Sequence, residues 1–315
     1  MEPQVKAELV AARAAKLFFY SPYNFLRKVD VEQQQLLFGT GKAERYAAEA
    51  AHHVFEFQRE AFTVQFLYAF LPWDTEFFGA PVYKLFTILF AEGTPAPVLL
   101  AAGTAFRQYL RKQGAAYCFA ELPVEDTGVA QALGDAGWRL VETRLNFYHD
   151  DVAAFEWPRY PVRTALAAEA EPIGTISAAA RNEYDRFHAD PWFSTAQADA
   201  FLHKYAAAAV LGYCDEVLVP DEPALPVDSF LAIGDSPAET EALGFQSSRV
   251  VLTAVGPANR GWHLKLVAET VQRARARQAD YVLMTTQATN RAVFRTCEKL
   301  GFKLGNATAV FACAG

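Results

Sequence analysis

Two stretches of this chain line up without a gap. GAAYCFAELPVEDTGVAQALGDAGWRLV and QADYVLMTTQATNRAVFRTCEKLGFKLG place Tyr117 on Tyr281 and Gly137 on Gly301, an offset of 281 − 117 = 164. At that offset Val129 faces Val293, Trp138 faces Phe302 and Leu140 faces Leu304. The helical stretches before them, from Val98 and from Trp262, share it. Each copy reads as strand–helix–strand–helix–strand. Two long copies argue for a tandem α/β fold rather than a solenoid, which needs more and shorter units.

A chain of 315 residues suits two domains of ordinary size. With 52% hydrophobic and 21% charged residues it has enough apolar surface to bury cores. The net charge of −7 argues against nonspecific binding to nucleic acid or anionic membranes, though not against a local basic pocket. Cys118, Cys214, Cys297 and Cys313 form no CxxC pair, so no zinc site and no metal are expected. A reduced, cytoplasmic setting fits them. MEPQVKAELVAARAAK lacks the apolar region of a signal peptide, and no run of about 18 apolar residues would span a membrane.

Helical spacing predicts helices in VKAELVAARAAKLFF and AERYAAEAAHHVFEFQREAF, an N-terminal helical extension over 1–60. On a helix the adjacent His52 and His53 point about 100° apart and do not share a metal. The aromatic and β-branched run FTVQFLYAFLPWDTEFFGAPVYKLFTILFAEG predicts strands. DDVAAFEWPRYP, with two prolines, is the expected linker, at 151–161. The second half reads as the strand VRTAL, helices over 168–182 and 194–209, strands in DEVLVPDE, DSFLAIGD and SSRVVLTAV, turns at PDEPALP and GDSPAETEALG, and then the repeated unit. The fold class expected is mixed central sheets flanked by helices. Its divisions are an N-terminal lobe at 61–150 and a second domain at 162–315.

AVGPANRGWHLKLVAETV followed by DYVLMTTQATNRAVFRTCEKLGF resembles the GCN5-related N-acetyltransferase (GNAT) superfamily. LPWDTEFFGAPV, YDRFHADPWFSTAQAD and the TTQATN turn are similar to its sugar-nucleotide branch, typified by the TDP-fucosamine acetyltransferase. The likeness covers about residues 65–315. It implies a truncated N-terminal lobe, a C-terminal lobe that binds acetyl-CoA, and a small-molecule amine as acceptor, with a homodimer compatible. In that family a strand leads into a loop whose free N–H groups, at a helix N-terminus, hold the CoA pyrophosphate. The resemblance assigns acetyl-CoA to Leu252, Thr253, Ala254 and Val255 of the strand, to Arg260, Gly261, Trp262, His263, Leu264 and Lys265 of the loop, and to Asn290. It also implies that backbone N–H groups of the strand polarise the thioester carbonyl. His263 and Lys265 stand where the family has small residues. Lys265 could pair with a phosphate or be an exposed first-turn lysine.

Cys297 stands where many relatives carry a tyrosine that protonates the departing thiolate. It could donate that proton itself, Tyr184, Tyr205 or Tyr213 could, or Cys297 could be a small buried helix residue. Asp185, His188 and Asp190 form a compact acid/base cluster, from which His188 and Asp190 are the candidate catalytic groups. Arg186 beside them is a candidate for a substrate phosphate or carboxylate. Asp74 and Glu76 are further substrate-binding candidates. Helix capping at Asn290 and Asp190, turn chemistry at 74–76 and a solvated face for Arg273, Arg275 and Arg277 are the bland alternatives. Three readings follow: a small-amine N-acetyltransferase, a degenerate GNAT-like binding protein, or a peptide or protein N-acetyltransferase that docks through residues 1–60.

Overall fold

The computed structural model describes residues 4–235 and 238–314. The chain forms two compact units. The first takes residues through Thr143 and again from Asn306 on; the second is Arg144–Gly305.

The first unit opens with helices α1 (Ala7–Leu17), α2 (Val31–Phe38) and α3 (Thr40–Glu44). Then come β1 (His52–Arg59), β2 (Phe62–Phe70), α4 (Pro72–Phe78), β3 (Val82–Phe90), α5 (Ala96–Lys112), β4 (Tyr117–Pro123), α6 (Thr127–Asp135) and the start of β5 (Arg139–His149). Its sheet runs β1-β2-β3-β4 and closes on the end of the chain, with Pro123 opposite Thr308 and Tyr117 opposite Ala314. Only the β3–β4 pair is parallel, as a helix crossover requires. Phe66, Phe106, Leu85 and Ile88 lead one core, between the sheet and α5 and α6; Leu9, Val10 and Leu17 of α1 build a second against Leu67 and Leu89.

The second unit continues β5 and adds β6 (Val162–Thr164), α7 (Ala170–Ala179), α8 (Arg186–Ala189), α9 (Thr195–Ala208), β7 (Glu216–Pro220) and β8 (Ser229–Asp235). It ends with α10 (Ala238–Ala242), β9 (Ser247–Val255), α11 (Trp262–Ala276), β10 (Tyr281–Gln287), α12 (Arg291–Lys299) and the start of β11 (Lys303–Ala314). Its sheet order is β5-β10-β9-β8-β7-β6, again with one parallel pair, β10–β9.

The 164-residue offset holds in detail. It carries β4 onto β10 and α6 onto α12 end to end. Asp126 accepts the amide of Val129 at the start of α6, and Asn290 accepts that of Val293 at the start of α12. It also carries α1 onto the neighbourhood of α7 and His52, the first residue of β1, onto Glu216, the first of β7. The elements within residues 4–60 fall in the first unit, as counterparts of elements in the second.

The sequence reading differs elsewhere too. HHVFEFQR is a strand, because its alternation pairs residue by residue with β2 from His52–Ala69 to Arg59–Phe62. His52 and His53 therefore point to opposite faces; His52 stacks on Tyr46 and His53 lies against Tyr68. Among the described residues no group of acids, cysteines and histidines could hold a metal. PWDTEFF is a helix, started by Pro72 in its first turn and stopped by Gly79 in the left-handed region. In the turn expected over GDSPAETEALG, residues 236 and 237 lie outside the described residues and 238–242 are helical. The 151–161 segment is packed onto α11: Arg275 donates to the carbonyl of Phe155, Gln272 to that of Trp157, and buried Glu269 accepts from Arg159 and the Tyr160 amide. Of the arginine strip, Arg273 pairs with Glu216 and Asp235, and Arg277 with Asp235.

Gly137 and Gly301 end α6 and α12 with φ of 81° and 77°. At Gly301 an added Cβ would meet only His149 Nε2, at 3.7 Å, so conformation alone sets the cost there. Gly301→Ala is expected to lose about 1–2 kcal/mol in urea unfolding, and Gly301→Asn less, since Asn tolerates this region. Equal stability for the wild type and Gly301→Ala would refute this.

Candidate functional site

In the second unit β9 and β10 pair in parallel from Ser247–Tyr281 to Val250–Met284 and no further. Both strands continue, to Val255 and Gln287, so they diverge. On its other side β9 pairs with β8, and the register skips a residue: Ala232 faces Leu252 while Ile233 faces Val250. The extra residue, Val251, is a bulge that bends the strand and re-aims its backbone groups. A cleft of about 630 Å³ lies beside the end of β9. Its lining comes from α7 (Ile176, Ala179, Ala180), the end of β9 and the 256–261 loop, the first turn of α11, and α12.

The loop is shaped by Asp228, which sequence reading did not single out. Its backbone carbonyl accepts the Gly256 amide at 2.7 Å and its carboxylate accepts the Ala258 amide at 2.7 Å. The approach is close: a Cβ at 256 would sit 2.1 Å from Asp228 Oδ1, so the carboxylate would have to give up this position. The loop ends at Gly261, with φ of 92°, and α11 starts there without a side-chain cap. The first amides of an uncapped helix, with the dipole behind them, favour an anion.

The charge around the cleft agrees. Arg260, Arg295 and Lys299 line it and Asp228 is the one acid among its lining residues. Among the described residues none of the three cations is held in an ion pair. Arg295 and Lys299 stand one turn apart on α12, a spacing present in FRTCEK that the sequence reading passed over. An acidic chain thus carries a local basic pocket.

Of the residues expected to bind acetyl-CoA, Val255, Arg260, Gly261, His263 and Leu264 line the cleft. Trp262 is buried in the core beneath it. Lys265 lies over the Trp262 ring at 4.2 Å and pairs with Glu222, away from the lining. Leu252, Thr253 and Ala254 are on β9 beyond the bulge, and Thr253 donates its hydroxyl to the carbonyl of Phe230. Asn290 is the α12 cap. His263 Nδ1 is 3.0 Å from Thr296 Oγ1, and burial holds its pKa down to about 4, so the imidazole is neutral.

The candidate catalytic groups are placed elsewhere. Cys297 is completely buried in the core under α12, and burial pushes its thiol up to about 12. A thiol so placed is a packing residue. His188 is bracketed by carboxylates, with Nδ1 2.8 Å from Asp185 and Nε2 3.1 Å from Asp199, so both ring nitrogens already have protein partners. Asp185 caps α8 and buried Asp190 accepts the Trp192 amide. Arg186 is buried, with its guanidinium 4.4 Å from the Phe187 ring centre. Asp74 and Glu76 are on α4 of the first unit. Tyr184 is exposed, and Tyr205 and Tyr213 contact each other edge to face. None of these residues lines the cleft.

The first unit has the same divergence, since β3 and β4 pair only to Leu85–Ala120. There side chains from α1 and the residues after it converge on Asp126 at the start of α6. Arg13 of α1 pairs with Asp126 and lies 4.5 Å over the Phe90 ring; Tyr20 donates to Asp126 at 2.7 Å and accepts from Thr87 at 2.9 Å. Lys16 donates to the carbonyl of Glu125.

A scan against protein-family models and a search of curated proteins each returned no match. Solved structures do match. A tandem GNAT protein from the clavulanic acid biosynthesis pathway aligns over 98% of this chain and 95% of its own, at 14% identity and a TM-score of 0.50. A GCN5-related N-acetyltransferase from Sphaerobacter thermophilus aligns over 100% and 97%, at 11% identity and a TM-score of 0.54. The GCN5-related glucosamine N-acetyltransferase region of a fungal multi-domain GH3 β-N-acetylglucosaminidase aligns over 96% of this chain and 37% of that one, at 11% identity and a TM-score of 0.57. The fold is that of the tandem GNAT proteins. Among the described residues no helix is long and apolar enough to cross a membrane.

Proposed function

We propose that the second unit binds acetyl-CoA and that the protein transfers the acetyl group to a primary amine of a small molecule, in the cytoplasm. The observation that carries this reading is the junction of diverging strands, uncapped helix N-terminus and three basic side chains at one cleft. The residues present fit the cosubstrate. Arg260, Arg295, Lys299 and the first amides of α11 suit its phosphates. The gap opened beyond Val250 and Met284 offers strand backbone groups to a narrow, amide-bearing arm. The bulge at Val251 turns strand amides out of the ladder, where one can hold the carbonyl oxygen as charge develops on it. Acetyl-CoA supplies the activated acyl group; the chain orients it and excludes water.

An amino sugar is the first acceptor class to test. It fits the sequence resemblance and the glucosamine N-acetyltransferase named among the similar structures. The sugar-nucleotide branch is a narrower form of the same proposal. Two observations favour a second reading, a binding protein without turnover: His263 stands where the family has a small residue, and Cys297 is buried.

Thermal unfolding with acetyl-CoA, with CoA and ATP as controls, tests the reading. A specific ligand at 100 times its Kd adds about 2.7 kcal/mol, a shift of several degrees for a unit of this size. Thiol release with amino sugars then separates the two readings. No shift at millimolar acetyl-CoA overturns both binding readings; a shift without release by any amine favours the second.

A further inference from the structure

The 256–259 loop keeps no backbone amide for a ligand. The Gly256 amide donates to the carbonyl of Asp228 at 2.7 Å, and the Ala258 amide donates to the Asp228 carboxylate at 2.7 Å. Pro257 has no amide proton, and the Asn259 amide donates to the carbonyl of Gly256 at 3.2 Å. Asn259 is buried, and its side chain donates to Ser229 Oγ at 2.9 Å and to the carbonyl of Pro226 at 3.2 Å. The 226–229 segment therefore grips the whole loop. The next amides differ. Those of Gly261, His263 and Leu264 donate to no acceptor among the described residues, and all three residues line the cleft. First-turn amides point out of the helix end, where an anion is favoured. Asp228 thus divides the amides between those turned inward and those left for a ligand.

Its charge works in the opposite direction. Asp228 is half-buried and lines the same cleft as Arg260, Arg295 and Lys299. A carboxylate there repels the anion that the cations and the helix end attract. The Ala258 amide needs only an acceptor oxygen, which a neutral Asn would supply as well. The charge is surplus to the loop geometry and acts on the ligand alone.

We infer that Asp228 is a positioning residue whose charge limits affinity. Its oxygens fix which amides the anion meets, and its negative charge holds the cleft short of the affinity that three cations would give, so that a spent polyanionic ligand can leave. This deepens the acetyl-CoA reading and rests on it for the identity of the ligand, but the phosphate chemistry stands apart from the acyl group.

The test uses the full chain with acetyl-CoA, ADP and inorganic pyrophosphate as separate probes. Calorimetric Kd values at low salt are compared for the wild type, Asp228→Asn, which keeps an acceptor without the charge, and Asp228→Ala, which keeps neither. Asp228→Asn is expected to bind the probes about threefold more tightly than the wild type, the scale of one exposed charge contact. That gain should shrink as salt rises. Asp228→Ala is expected to bind about threefold more weakly than Asp228→Asn, because the Ala258 amide has lost its acceptor. A merely structural role would not tighten binding in Asp228→Asn. Amide hydrogen exchange read by NMR tests the loop in the wild type and does not depend on the variants folding. Gly256 and Ala258 should be protected with or without ligand, and Gly261, His263 and Leu264 only with it. Equal or weaker binding by Asp228→Asn, equal binding by the two variants, ligand-dependent protection at Ala258 in place of Gly261, His263 and Leu264, or failure of every probe to bind the wild type each overturn the inference. The expected pattern with ADP and pyrophosphate, without binding of acetyl-CoA, would uphold it while sinking the acetyl-transfer reading.

Discussion

Asp126→Ala is expected to destabilise the first unit by about 3–5 kcal/mol, the cost of breaking a buried ion pair by removing one partner. Asp126 is fully buried and Arg13 nearly so. One carboxylate answers three donors: the Arg13 guanidinium, the Tyr20 hydroxyl and the Val129 amide that opens α6. Removing it strands a buried cation, a half-buried phenol and a helix end together. Its charge shows in Tyr20, whose pKa burial and the Asp126 carboxylate push up. Urea unfolding is the measurement. With an m-value of about 2 kcal/mol per molar, the transition should move by roughly 2 M. The pair is also testable as a pair. Arg13→Met with Asp126→Leu removes both charges, and should be more stable than Asp126→Ala, because no unpaired charge remains. A loss under about 1 kcal/mol for Asp126→Ala would mean that water replaces the carboxylate and that the cluster is not closed to solvent.

Arg295→Glu with Lys299→Glu is expected to weaken acetyl-CoA binding by about 10²-fold, or roughly 2.7 kcal/mol. Each exposed pair with a phosphate is worth up to about 1 kcal/mol, and reversal adds repulsion to the loss of attraction. The variant with Gln at both positions should fall between it and the wild type. Both side chains are exposed at the rim, so thermal stability should stay within about 0.5 kcal/mol of the wild type. Wild-type affinity should also fall as salt rises, and more steeply than that of the double reversal. Unchanged affinity in the reversal, or a wild-type Kd indifferent to salt, would remove α12 from the binding surface and leave the loop and the α11 terminus to carry it.

Much of the local structure around the candidate cleft was readable before any coordinates. The Arg260–Gly261 turn, the strand before it and the helix after Asn290 are local features, and local rules of capping, turn geometry and periodicity govern them. Five of the residues expected around the cosubstrate do line the cleft. The catalytic candidates were harder for a physical reason. His188 and Cys297 have the residue types that chemistry needs, but whether a lone pair or a thiol is available depends on neighbours distant in sequence. Asp199 takes the second nitrogen of His188, and the core of the second unit closes over Cys297. Asp228, Arg295 and Thr296 were missed for the converse reason. Each is an ordinary residue alone, and gains its role only where β8, α11 and α12 converge on one cleft.

The repeat itself was determined by sequence alone. Pattern and spacing carried the strand–helix–strand–helix–strand order of both copies and both αL glycines, because those depend on residues within a few turns of each other. Residues 52–59 lay outside that reach, since a strand's partner is what makes it a strand. Only the tertiary structure decided which strand completes which sheet. β5 and β11 occupy matching places in the repeat, and alternation gives them the same two faces. Nothing local distinguishes a strand that closes its own copy from one that closes the other. Pairing energy over the full register does, and it places 306–314 beside β4 and 144–149 beside β10. The difference between the two units was settled in the same way. Both have diverging strands, but in the first Arg13 of α1 pairs with Asp126 at the start of α6, whereas in the second Ala179 and Ala180 line the cleft.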